Sequence, residues 1–135
     1  MTRQTDWQQR LDDYIADNMA VPFDWQTHNC TTFAAGWVRE ATGCTNTVPE
    51  SASARQALRA VQAHGGLHAN ACKWLGEPVP GAFARCGDVV LLHVPRSRNR
   101  TSKAFGVCVG AVVAAQGPGG LVMVPITETE AAWRV

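Results

Sequence analysis

The stretch NCTTFAAGWVREATG, residues 29–43, decides the fold of the first half of the chain. Its apolar residues recur at helical spacing and a glycine closes the run, which predicts a helix that begins near Cys30 and ends at Gly43. The apolar positions are Phe33, Ala34, Trp37, Val38 and Ala41. Position 30 lies on the same stripe, so we expect the cysteine to face the protein interior from the first turn of the helix.

Further helices are predicted on both sides of this one. Thr5 and Gln8 have the spacing of a capping box, and apolar residues then recur at helical spacing, which predicts a helix over about 6–19 that stops before Pro22. Downstream, SARQALRAVQAHGG predicts a helix that ends at the glycine pair 65–66, and LHANACKWLG predicts a short helical turn.

The character of the sequence changes after the Pro- and Gly-containing stretch 76–81. GDVVLLHV, FGVCVGAVVAAQ and LVMVPI are runs rich in β-branched residues, and each predicts one strand. Helices followed by an antiparallel sheet define an α+β domain. With 135 residues, 46% of them hydrophobic and 17% charged, we expect one domain over 1–135, helical over about 1–76 and a sheet over about 82–135.

The charge balance argues against a nucleic-acid partner. Lys and Arg total 12 against 11 Asp and Glu, so the chain as a whole has no strong field. The basic stretch RSRNRTSK, residues 96–103, fits a solvated hairpin loop, and the alternative is a contact with an acidic partner or nucleic acid. The N-terminus is polar and acidic, and no run reaches the roughly 20 apolar residues of a membrane span, so we expect synthesis in a cytoplasm.

Five cysteines, an odd number, stand at positions 30, 44, 72, 86 and 108. They form no CxxC pair, and we expect no disulfide framework in a reducing compartment. The 14-28-14 spacing of the first four leaves a zinc or iron–sulfur site open, although ligand pairs usually lie on tight turns. We therefore predict no metal and no cofactor.

Cys30 has three readings: a nucleophile, a metal ligand or a small buried side chain. Unpaired backbone N–H groups and the dipole at a helix start favour the thiolate, which predicts a lowered pKa for this thiol. Catalysis also needs a base, usually a histidine that the fold brings close. His28 is expected to cap the helix or to hydrogen-bond within the loop before it, and Asp88 to accept backbone N–H bonds at the entrance of the first strand.

Three blocks of the chain resemble the NlpC-type, papain-like cysteine peptidases. They are HNCTTFAAGWV, RCGDVVLL and FGVCVG, where that clan has Asp-Cys-Ser-Gly on a helix, Gly-Asp-Leu-Val on a strand and His-Val-Gly-Ile-Tyr-x-Gly on the next strand. The chain is also similar to a small tailed-phage family within the clan, whose members often end in Ala-Trp-Arg, as residues 132–134 do here. The resemblance covers roughly residues 22–135 and implies a papain-like α+β fold.

The resemblance carries over residue by residue. The matching positions are Cys30, at the nucleophile; Gly87 and Asp88, at the turn into the first strand; and Gly106, Val107 and Gly110, in the glycine-rich second strand. At the position where that clan has its catalytic histidine, this chain has Ala104. Asn29 and Thr31–Thr32 replace the residues on either side of the nucleophile.

His93 is the best substitute for the missing base. It ends the first predicted strand while Ala104 begins the second, and an antiparallel hairpin over 94–103 would bring the two positions near each other. Alternation places His93 on one sheet face with Val89 and Leu91. The alternative is an exposed strand-end histidine beside the basic loop.

Two functions follow from the resemblance. The first is a tailed-phage virion component of the tail tip or baseplate that keeps the NlpC-like fold without its activity, with other tail-tip proteins as partners. The second is an active cell-wall peptidase or amidase, in which Cys30 attacks a peptidoglycan peptide and His93 is the base. Ala104 favours the first, which implies a protein made in the host cytoplasm and located in the virion tail.

Overall fold

The computed structural model describes residues 2–24, 28–43, 66–95 and 101–135; for residues 94, 95, 101 and 102 it describes the backbone alone. The helices are α1 (Trp7–Asn18), α2 (Cys30–Thr42) and α3 (Leu67–Leu75), and the strands are β1 (Val79–Pro80), β2 (Val89–Pro95), β3 (Thr101–Cys108), β4 (Val112–Gly117), β5 (Gly120–Pro125) and β6 (Thr129–Trp133). Three helices packed against a six-stranded antiparallel sheet confirm the α+β prediction. None of the helices in these ranges is both long and apolar enough to cross a membrane.

The bounds of α2 agree with the prediction. Its N-cap is Asn29, whose side-chain oxygen accepts hydrogen bonds from the backbone N–H groups of Thr31 and Thr32 at 3.0 and 2.9 Å. The Thr32 hydroxyl in turn accepts from the Asn29 backbone N–H at 2.8 Å, so the capping box is reciprocal. Gly43 ends the helix in the left-handed conformation, with φ of 75°.

The predicted capping box of α1 is wrong. The N-cap is Asp6, and its side chain makes no capping hydrogen bond. Because the helix starts one residue later than a Thr5 cap requires, Gln8 stands at the second helical position, too early to reach back. The Asp6 carboxylate instead accepts a hydrogen bond from Arg10 Nε at 2.7 Å, one turn along the helix.

The C-terminal half of the helical region is described only in part. LHANACKWL, predicted as a short turn, forms the nine-residue helix α3. The helix predicted to end at residues 65–66 lies outside the described residues, as do positions 96–100 of the basic stretch.

The strands follow the order β1-β6-β2-β3-β4-β5, and every neighbouring pair is antiparallel. The run FGVCVGAVVAAQ, predicted as one strand, is divided between β3 and β4. The division falls at Gly110, whose φ of 124° suits glycine, and the Val109 N–H donates to the Val112 carbonyl to close the turn. β1 and β6 were not predicted, since neither has a run of β-branched residues.

The two faces of the sheet bury different residues. One face packs on the helices and is called the helix side. Its buried residues include Val89, Leu91, Phe105, Val107 and Trp133, which form one core cluster with Trp37 and Val38 of α2. The other face, called the far side, carries Val90, Leu92, Cys108 and Val113. Strand alternation produces this division, because consecutive residues of β2 and β3 point to opposite faces.

Candidate active site

Cys30 opens α2 and packs against the core on the helix side of the sheet. Its thiol accepts a hydrogen bond from the backbone N–H of Phe105 in β3, and Thr31 Oγ1 lies 4.0 Å from the sulfur. The expectation that the cysteine faces the interior is therefore confirmed. The thiol lies between the first turn of a helix and the central strands of a sheet.

Burial raises the pKa of the Cys30 thiol, which corrects the prediction of a lowered value. The N–H of Phe105, the Thr31 hydroxyl and the first N–H groups of the helix all act in the predicted direction and favour the thiolate. Removal of the sulfur from water is the larger influence, because an anion in apolar surroundings loses its solvation. At neutral pH the side chain is a thiol.

His93 lies on the same sheet face as Cys30. His93 pairs with Lys103 of β3, two residues beyond the buried pair Leu91–Phe105. Because side chains alternate along a strand, His93 and Lys103 lie on the helix side, as Leu91 and Phe105 do. The predicted alternation of Val89, Leu91 and His93 therefore holds. In the described residues no hydrogen bond joins the imidazole to the Cys30 sulfur.

The imidazole of His93 is engaged by Glu130 instead. Its Nε2 lies 3.4 Å from Glu130 Oε1, and Lys103 Nζ lies 3.1 Å from the same oxygen. Glu130 can reach both because β6 carries an additional residue at this point, where the register with β2 shifts between Leu91 and Leu92. The Lys103 ammonium holds the pKa of Glu130 below its usual range, with a smaller contribution from His93.

Ala104 lies on the opposite face from the thiol. It pairs with Leu92, which belongs to the far side, and its neighbour Phe105 lies on the helix side. A histidine at position 104 would point away from Cys30. A base for Cys30 has to come from the helix side of the sheet, where His93 lies.

The loop before α2 places His28 by backbone bonds. His28 and Asp24 form an isolated antiparallel bridge, with N···O distances of 2.9 and 3.0 Å. The predicted hydrogen bonding within the loop is thus made by the main chain, and the buried side-chain Nε2 has no hydrogen-bond partner among the described residues. The cap of α2 comes from Asn29, not from this histidine.

Asp88 is the centre of a polar cluster at the entrance of β2, separate from the contacts of His93 and Glu130. It is fully buried and accepts the Arg85 backbone N–H at 2.8 Å, as predicted for a turn carboxylate. It also accepts from Arg134 Nη1 at 2.6 Å and from Arg3 Nη2 at 3.3 Å. No local pattern indicated these two arginines, since they lie 46 and 85 residues away along the chain.

α3 brings a further thiol and imidazole together. His68 Nδ1 lies 3.7 Å from Cys72 Sγ, and the His68 ring meets the edge of Trp133 at a centroid distance of 5.5 Å. The four-residue spacing on a helix could have indicated this pair. Within the described ranges, no group of three or more potential ligands is placed to hold a metal ion, and position 44 lies outside those ranges.

The raised pKa of Cys30 predicts slow alkylation at neutral pH. Iodoacetamide should modify Cys30 more slowly than it modifies free cysteine at pH 7, with a rate that still rises as the pH passes the ordinary thiol range of about 8.5. Mass spectrometry of the proteolysed protein resolves the site, with Cys30→Ala as the blank. Fast modification that is already complete and constant between pH 6 and 7 would mean that the pKa is lowered.

Comparison with known proteins identifies a domain family without an assigned activity. The family model DUF6950, a domain of unknown function, matches residues 2–135. No curated protein matches the chain. The match covers all of the helices and strands described above.

Proposed function

The chain belongs to the DUF6950 family, and we propose that it is a tailed-phage virion component of the tail tip or baseplate, with an NlpC-like fold that no longer cleaves peptide bonds. The phage context rests on the motif resemblance of the sequence. The surroundings of Cys30 support the loss of activity.

The observation that supports an inactive thiol is the packing of Cys30 against the core. Burial raises the pKa of Cys30, and its hydrogen-bond partners are a backbone N–H and a threonine hydroxyl. A cysteine nucleophile needs either a lowered pKa or an adjacent base that removes its proton. In the described residues no hydrogen bond joins the thiol to the imidazole of His93, the histidine on its sheet face.

The proposed docking partners are other tail-tip proteins. Among the residues that the structure describes, four large apolar side chains are notably exposed: Met19, Phe83, Val122 and Met123. Val122 and Met123 belong to β5, an edge strand of the sheet, and exposed apolar residues on an edge suit a protein held in a larger assembly.

A second candidate function is an active cell-wall peptidase or amidase that uses Cys30 and His93 on a peptidoglycan peptide. Two observations favour it. Both residues lie on the helix side of the sheet, and backbone N–H groups of Phe105 and of the first turn of α2 surround the sulfur, where an oxyanion could be stabilised. Glu130 contacts Nε2 of His93, as a carboxylate that orients a catalytic imidazole does, so this reaction would require Nδ1 of the same ring to come within hydrogen-bond reach of the thiol.

Peptide release from purified peptidoglycan separates the two functions. We expect the wild-type protein to release no more soluble peptide than Cys30→Ala, as measured by chromatography and mass spectrometry. His93→Ala tests the proposed base, and His68→Ala is the matched control, because it removes an imidazole from α3. Release that is lost in Cys30→Ala and His93→Ala but retained in His68→Ala would establish the peptidase.

The location is tested independently of the activity. Antibodies against this chain should label the distal end of the tail when purified virions are viewed by immunogold electron microscopy. Virions whose proteins, identified by mass spectrometry, do not include the chain would contradict the proposal even if the protein proves catalytically inactive.

A further inference from the structure

A cavity of about 540 Å³ lies beside Asp88, and Cys30 is not one of the residues that line it. The chain segment before α1, the turn before β2 and the residues after β6 form its wall. The residues that matter are Arg3, Trp7, Arg85, Cys86, Asp88 and Arg134. Its volume is within the range of small-molecule sites in proteins, roughly 300–1,000 Å³.

The cavity holds more positive than negative charge. Among the side chains that line it are three guanidinium groups and the carboxylate of Asp88. One carboxylate cannot neutralise three guanidinium groups. The oxygens of Asp88 are also already bonded to Arg3, to Arg134 and to a backbone N–H. The Arg134 charge contributes to lowering the pKa of Arg3, after the larger effect of burial.

The arginines differ in how much of their bonding capacity is used. Arg3 is fixed: Nη1 donates to the Cys86 carbonyl at 3.1 Å, Nε donates to the main-chain oxygen of Val135, and the guanidinium stacks 4.1 Å above the Trp7 ring. Arg134 uses one nitrogen, on Asp88. In the described part of the chain, the Arg85 guanidinium has no side-chain partner, although its backbone N–H is bonded to Asp88.

We propose that this cavity is a binding site for an oxyanion, the carboxylate or phosphate group of a small molecule, which Arg85 and Arg134 hold. A guanidinium presents parallel N–H donors that match the two oxygens of either group. Arg3 and Asp88 form the rigid base, because their bonds are complete within the protein. The site is independent of Cys30 and of the virion proposal, since it uses neither the thiol nor the edge strand.

The test is a titration with defined anions. Sodium phosphate and sodium succinate are added separately to the full-length protein, with sodium chloride at equal ionic strength as the reference, and binding is followed by calorimetry and by the melting temperature. We expect saturable binding of at least one of the two anions and none of chloride. Tighter binding of phosphate would identify a phosphorylated ligand, and tighter binding of succinate a carboxylate ligand.

Arg85→Gln is the informative variant, because it retains the backbone N–H that holds Asp88. It should weaken anion binding about tenfold, the loss expected for one charge-assisted contact. Arg39→Gln, on the exposed surface of α2 and outside the cavity, is the matched control and should bind as the wild type does.

The melting temperatures without anion show that both variants are folded. Saturable binding to neither anion would overturn the proposal. Equal affinities of Arg85→Gln and the wild type would overturn it as well, since the cluster around Asp88 would then serve only to connect the chain ends to the sheet.

Discussion

Asp88→Asn is expected to lower the free energy of unfolding by about 3 kcal/mol, because it removes a buried negative charge with which two arginines pair. The carboxylate is fully buried, while Arg3 and Arg134 keep 21% and 39% of their side chains exposed. An asparagine has nearly the same shape but turns one acceptor oxygen into an NH₂ donor. That donor would face either the Arg3 guanidinium or the pair formed by Arg134 and the Arg85 N–H.

Urea denaturation at pH 7 measures this loss. Asp17→Asn is the matched control, since Asp17 is exposed on α1, and we expect a change there of less than about 0.5 kcal/mol. An Asp88→Asn protein as stable as the control would show that water replaces the lost acceptor. The cluster would then contribute little to holding the N-terminal segment, the turn before β2 and the residues after β6 together.

The sequence predicts those features that depend on neighbouring residues. The spacing of Phe33, Trp37 and Ala41 and the stop at Gly43 predicted α2 correctly, because both signals lie within the helix that they describe. Alternation likewise predicted the face of His93, since β2 runs without interruption. The same reasoning missed the division of β3 from β4, where the glycine at 110 lies within one apolar run.

The features that escaped prediction depend on contacts between distant segments. A helix start favours a thiolate, but burial raises the pKa of Cys30, and the core that it packs against includes Phe105 of β3, some seventy residues later in the chain. Arg3 and Arg134 are near opposite ends of the chain, and only the folded sheet brings both to Asp88. Motif comparison pointed to position 104 for the base, whereas the strand pairing places Ala104 on the far side, opposite Leu92.

Trp37→Ala is expected to destabilise the protein by about 4 kcal/mol, the range found when large aromatic residues are deleted from a core. Trp37 is fully buried between α1 and the sheet, and its ring centroid lies 6.0 Å from that of Tyr14. Its Nε1–H also donates to the Gly87 carbonyl at 2.7 Å. The side chain therefore connects the core of α2 to the turn that carries Asp88.

Phenylalanine substitutions separate the packing from the hydrogen bond. Trp37→Phe should cost about 1–2 kcal/mol more than Trp133→Phe, because it leaves the Gly87 carbonyl without its donor. Trp133 is the matched control: it is equally buried, but its Nε1–H has no hydrogen-bond partner in the part of the chain that the structure describes. Both losses are measured by urea denaturation. Equal costs would mean that the Gly87 carbonyl finds another donor, and that α2 holds the Asp88 turn through packing alone.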